Sequence, residues 1–209
     1  MKTIVKNYLL AGQLIMLSCL AACNANHKNS SEVADSANQK FIAKSDSANK
    51  VQERKDDSAL RANKDVMRDA SKFLVKWYEA GMYELQLSQL AATNALDADV
   101  KNLAITFVND HKDINAKIES IASNNNFVLP TSVNADHQRD LRDITKLTGA
   151  DFDKKYINTI ISAHEESVDS YKDAYKNLAA GETKTFAGQA LPALEDHLTM
   201  ARKVAKRIN

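Results

Sequence analysis

From about residue 68 to the C-terminus, apolar positions recur every three or four residues, the period of helices that each bury one stripe. The cleanest case is "DADVKNLAITFVNDHKDINAKIESIASNN". Val100, Ala104, Phe107, His111, Ile114, Ile118 and Ile121 alternate by four and three without a miss, as a bundle or coiled-coil seam does. In "DFDKKYINTIISAHEESVDSYKDAYKNL", Ile157, Tyr171 and Leu178 form one heptad series and Ile161, Val168 and Tyr175 the other. His164 fills the slot between Ile157 and Tyr171. Upstream, "DASKFLVKWYEAGMYELQLSQLAATN" sets Leu74, Tyr78, Gly81, Leu85, Ser88 and Ala92 on one face, with Asn94 and Asp97 marking the turn. The last helix starts near Thr183 and carries Leu191, Leu194, Leu198, Ala201, Ala205 and Ile208. Pro192 lies inside it; its ring would clash with the Gly188 carbonyl, which predicts a kink rather than a break. A short amphipathic helix, about Val133 to Leu147, precedes the third long one, with Gly149 suited to its C′ position and Asp151 to the next cap. The pattern predicts an all-α, up-down four-helix bundle over residues 67–209, with an extra short helix between the second and third long helices.

Residues 23–66 read differently. "NANHKNSSEVADSANQKFIAKSDSANK" is rich in Asn, Ser, Ala and Lys and nearly lacks large hydrophobes. A flexible or partly helical tether is expected, solvated rather than packed. "DSA" begins at Asp35, Asp46 and Asp57, a spacing of eleven, or three helical turns, with only alanines on the stripe.

Residues 1–22 have the form of a lipoprotein signal peptide. Lys2 and Lys6 precede the apolar "YLLAGQLIMLSCLAA", too short for a stable membrane span, and the stretch ends in "LAAC". This resembles the bacterial lipobox, so Cys23 is expected to be acylated and to anchor the mature chain to a membrane through several acyl chains. Cleavage also removes Cys19, which leaves no disulfide and assigns stability to packing. "NANHKNSSE" carries only one acid, Glu32, after the anchor. The expected location is therefore the cell envelope, on the outer membrane and facing the periplasm.

Composition narrows the picture. Five Gly and two Pro in 209 residues, with 44% apolar and 26% charged, suit long helices and not turn-rich sheets. A formal charge of +1 gives no footprint for nucleic acid. There is no glycine-rich phosphate loop, no Gly-x-Ser-x-Gly elbow and no Cys-x-x-Cys. No catalytic residues are assigned, and the expectation is a protein that is not an enzyme.

Three of the five histidines point to chemistry. His27 lies in the tether and His137 on the short helix, and neither receives a role. His111 and His164 occupy seams, and His197 lies on the inner side of the last helix, beside Leu198 and between Leu194 and Ala201. At about 1.5 Å of rise per residue, His164 and His197 reach the same level within about 3 Å, and His111 agrees within a few ångströms. Glu84, at the edge of the first helix's apolar face, is offset from His111 by about 6 Å. Three imidazoles with a carboxylate suit a single zinc, iron or copper ion. The other arrangement these residues allow is a metal-free buried polar layer, hydrogen-bonded internally or to Tyr78 or Tyr171. Asp110, Glu165 and Asp196 each neighbour a histidine and could orient an imidazole through its second nitrogen, although one residue's rotation points each of them about 100° aside.

"FLVKWYEAGMYELQLSQLA", "FVNDHKDIN", "LTGADFDKKYINTIISAHEESVDSY" and "FAGQALPALEDHLTMA" together resemble the family of domain of unknown function 4142, over roughly residues 70–205. The distinctive elements are the Asp-His pair, Gly-x-x-Phe-Asp-x-x-Tyr and Leu-Pro-x-Leu-x-x-His-Leu. The resemblance implies a ferritin-like bundle in a bacterial envelope protein, described at times as an outer-membrane protein, and no established activity. Di-iron members of the ferritin-like class use Glu-x-x-His pairs. Here Val108, Ile161 and Leu194 stand three before the histidines, so a di-iron oxidase is not expected. The leading expectation is a lipid-anchored binding or envelope-maintenance module; the alternative is a mononuclear metal protein built on His111, His164, His197 and Glu84.

Overall fold

The computed structural model describes residues 29–45 and 57–208. The expected signal segment and Cys23 lie outside the described residues. Within them the chain is all helix: α1 (Ser30–Lys44), α2 (Asp57–Asn94), α3 (Ala98–Asn124), α4 (Ala135–Ile144), α5 (Gly149–Asn177) and α6 (Glu182–Ile208). The long helices pair as two hairpins, α2 with α3 and α5 with α6, which pack face to face as the expected bundle.

Local chemistry sets the boundaries. The Asp97 carboxylate accepts from the Asp99 and Val100 amides to start α3, and the Asn134 side chain accepts from the His137 amide to start α4. Asn126, at φ 56°, ends α3 in the left-handed conformation typical of a helix stop. Two boundaries differ from expectation. The short helix is Ala135–Ile144, and Gly149, at φ +61°, opens α5 instead of closing α4. Asp151 therefore falls in the first turn of α5. The buried acid two residues on has a tertiary role: Asp153 accepts from the Leu96 and Asp97 amides at 3.0 and 2.8 Å, stapling α5 to the α2–α3 turn. Helix α6 runs through Pro192 without interruption.

The stripe of α2 lies beside the one read from apolar spacing. Leu74, Trp77, Gly81, Glu84, Ser88 and Ala91 are all buried at heptad spacing, while Tyr78, Leu85 and Ala92 are half-buried. A Cβ on Gly81 would stand 2.1 Å from the Asn115 side-chain oxygen on α3, so a larger residue there would have to displace that side chain. On α5, Tyr175 is exposed instead of buried in the seam.

The interior is divided by level. One apolar cluster holds Phe73, Leu74, Trp77, Ile118, Tyr171, Phe186 and Leu194. The other holds Leu87, Val100, Phe107, Phe152, Tyr156, Ile160 and Ala201. Between them lies a polar layer containing Glu84, His111, Asn115, His164, Ser167 and His197, all buried.

The greatest departure from expectation is α1, which is docked on the bundle. Ala34, Asn38 and Ile42 are buried, and Ile42 belongs to the first apolar cluster. Asn38 donates to the Val128 carbonyl at 3.0 Å and accepts from the Val128 amide at 2.7 Å. Ser30 Oγ accepts from the Thr131 amide at 2.6 Å.

Candidate metal centre

Each long helix sends one candidate metal ligand to the middle layer. Glu84 comes from α2, His111 from α3, His164 from α5 and His197 from α6; they are 2, 3, 0 and 1% exposed. The three imidazoles each offer one nitrogen, and these lie within 4.8 Å of one another. The 6 Å offset expected for Glu84 is bridged by its own side chain, which brings Oε2 to 3.1 Å from His111 Nε2 and 3.3 Å from His164 Nδ1.

The hydrogen bonds fix two of the rings. His164 Nδ1 lies 3.0 Å from the Ile160 carbonyl, which only accepts, so this nitrogen carries the proton and donates. His197 Nε2 lies 2.8 Å from Asp110 Oδ2 and donates for the same reason. In the neutral rings the remaining nitrogens, His164 Nε2 and His197 Nδ1, are therefore both lone-pair acceptors. They face each other at 3.1 Å. Two acceptors at that distance repel unless a proton on one ring or a metal cation lies between them. Nitrogens bound tetrahedrally to one zinc at about 2.0–2.1 Å would be about 3.3 Å apart.

Charge points the same way. Burial lowers the His164 pKa below the ordinary imidazole range, against the pull of Glu84. Burial also lowers His197, to about 4, although Asp110 favours its charged form. For Glu84, burial raises the pKa, but the facing imidazoles of His164, His111 and His197 outweigh it and hold the carboxyl below its usual range. The layer thus contains a buried carboxylate beside two rings, His164 and His197, that burial keeps neutral. Glu84 Oε2 and both ring nitrogens of His111 lack an aligned hydrogen-bond partner. Such groups are costly to leave unpaired, about 1–3 kcal/mol each. Neutral imidazoles and an ionised carboxylate are the protonation states that metal ligation requires.

The three acids neighbouring the histidines separate. Asp110 holds an imidazole through its second nitrogen, but that of His197 on α6 rather than its neighbour His111. Glu165 is paired at the surface with Arg202, 2.7 Å away. Asp196 is exposed, and among the described residues no hydrogen bond joins it to the cluster. Tyr78 bonds Glu119 at the surface, and Tyr171 lies in the apolar cluster below.

A second polar group went unread in the sequence. Glu79, buried on α2, accepts from the Asn134 amide at 2.7 Å and from His137 Nδ1 at 2.8 Å. Tyr83 stacks on the His137 ring at 4.0 Å and donates to Asp140. Asn134, whose side chain caps α4, ties this group to the start of that helix.

The sequence matches the model of a domain of unknown function, DUF4142, over residues 54–204. No curated protein matches it. Among solved structures it is similar to the crystal structure of a DUF305 fragment from Deinococcus radiodurans. The TM-score is 0.59 at 13% identity, covering 66% of this chain and 95% of that one. A likeness at that identity speaks to the helical fold alone. The family match runs from the start of α2 almost to the end of α6 and encloses all four candidate ligands; the chain belongs to the DUF4142 family.

Proposed function

We propose that this protein holds a single transition-metal ion, zinc, iron or copper, through His111, His164, His197 and Glu84, inside a lipid-anchored bundle facing the periplasm. The observation that carries the metal reading is the 3.1 Å approach of two imidazole nitrogens whose protons are committed elsewhere, to Ile160 and Asp110. Asp110 fixes the tautomer and orientation of His197, as carboxylates do for metal-bound imidazoles. Glu84 supplies the negative charge that offsets part of the ion's own. The apolar clusters above and below exclude water. The ion would tie α2, α3, α5 and α6 at one level. The envelope location and the acyl anchor on Cys23 rest on the sequence of residues 1–23. No catalytic step is assigned; the protein would act as a binding or envelope-maintenance module.

Metal analysis tests this directly. Protein purified without a histidine tag should carry close to one equivalent of transition metal, or gain it on addition. Binding only to the folded state raises stability by about 2.7 kcal/mol at a hundredfold excess over Kd, readable as a higher melting temperature. No metal in the purified protein and no melting shift with zinc, iron or copper would remove the reading. Mass analysis of the Cys23-containing peptide from cells tests the anchor separately.

A further inference from the structure

A cleft of about 760 Å³ opens between α2 and α5, rimmed by α4. Glu84 and Ala163, the neighbour of His164, lie on its wall, so the cleft leads from solvent to the polar layer. Five carboxylates line it against two ammonium groups, Lys76 and Lys155. Both lysines are paired, with Glu166 at 2.8 Å and Asp140 at 2.7 Å. The acidity is local, because the whole chain is close to neutral. Glu84 is 2% exposed, and its Oε2 lacks a hydrogen-bond partner.

The cleft also contains an imidazole held ready. Glu79 accepts a hydrogen bond from His137 Nδ1, and Tyr83 clamps the ring by stacking at an interplanar angle of 7°. Among the described residues Nε2 has no partner, and the side chain is 30% exposed. A carboxylate-held ring of this kind presents its second nitrogen as a metal ligand.

We infer that this cleft is the path by which a hydrated divalent cation reaches the centre, with His137 the first protein ligand it meets and Glu84 the group that receives it. The inference rests on the metal reading above and adds the route. Acidic walls raise the local cation concentration and the on-rate. His137 and Glu84 then replace water one ligand at a time. The rival route is the groove between α3 and α6, where Asp110 is 43% exposed beside His197.

Stopped-flow uptake of cobalt(II) by the metal-free full chain, followed by visible absorbance, tests the route. Asp136→Lys with Glu166→Lys alters two exposed mouth residues and leaves the core intact. Uptake should slow about tenfold or more at low salt, with the difference shrinking as ionic strength rises. The end-point spectrum and Kd should stay those of the parent. His137→Gln and Ser162→Trp, which remove the first ligand and crowd the cleft, should also slow uptake without changing the end point. Gln189→Trp, in the opposite groove, should leave the rate unchanged. Parent rates in all three cleft variants, or slowing by Gln189→Trp alone, would overturn the route while leaving the metal reading intact. Failure of the parent protein to bind cobalt at all would remove both.

Discussion

Asp110 and Glu165 each adjoin a seam histidine, one before it and one after it, and only Asp110 touches an imidazole. Removing it frees the ring of His197 to take either tautomer. Asp110→Ala should weaken metal binding about 10–100-fold, as loss of such an orienting carboxylate does, while Glu165→Ala should leave it unchanged. A competition titration against a chromophoric chelator reads both. Equal effects, or none, would show that the orientation of His197 does not matter. The same ring gives a pH prediction. In the metal-free fold His197 titrates near 4, below its ordinary value of 6.5. Between those values the unfolded chain binds more protons, so stability rises with pH and is lost on acidification through the window. The share of this ring should be about 3 kcal/mol, and His197→Leu should remove that share while leaving the one due to His164, which burial also lowers. Urea midpoints from pH 6.5 to 4 check this; a flat profile would mean that the ring is not held neutral in the fold. The histidines were legible in the sequence because heptad spacing marks an intruder among apolar residues. The partner of Asp110 was not, because it lies 87 residues away and depends on the rotation of two helices about their axes.

At the level of elements, the join between the hairpins depends on Asp153. It accepts the Leu96 and Asp97 amides, which start the α2–α3 turn, and it is 3% exposed. Phe152 beside it is fully buried, and Tyr156, one turn on, hydrogen-bonds Ser88 on α2 at 3.1 Å. The Gly-x-x-Phe-Asp-x-x-Tyr segment thus docks the start of α5 onto the first hairpin. Asp153→Ala would leave two amides without their charged acceptor and should cost about 2–4 kcal/mol. The metal layer, farther along α5, should keep its ligands. Thermal melting against metal stoichiometry separates the two effects; simultaneous loss of metal and stability at 25 °C would show that the staple also sets the register of His164. The helices themselves were readable from periodicity, and so was the polar layer on α3, α5 and α6. The seam of α2 was less so. It contains Gly81, Glu84 and Ser88, so counting apolar residues selected the neighbouring stripe and left Glu84 at its edge. The Asn115 side chain facing Gly81 favours a small residue over a large one, and that preference has no signature in a hydrophobic count.

For the molecule as a whole, the docked α1 changes what the N-terminal segment does. Composition alone makes it a solvated tether, since it offers few hydrophobes and repeats only alanine. The structure uses Ala34 and Ile42 for burial, and it uses Asn38 where a strand would use backbone, closing both hydrogen-bonding groups of Val128. If Cys23 is acylated as proposed, six residues separate the anchor from Ser30, at most about 25 Å of extended chain. With α1 docked, that anchor would hold the bundle close to a membrane surface. Undocking would add the length of α1 and the segment after it. Asn38→Leu keeps side-chain volume nearly constant but removes both bonds to Val128. Each backbone group left unpaired costs about 1–3 kcal/mol, which is enough to shift a helix docked through so small an apolar area. Hydrogen exchange should then speed up at the Val128 amide and along α1, while amides of α3 and α5 around the polar layer keep their protection. Unchanged exchange in α1 would mean that Ile42 alone holds it. Faster exchange throughout the bundle would make α1 an integral part of the fold, and not a strap whose release sets the reach of the metal centre from the membrane.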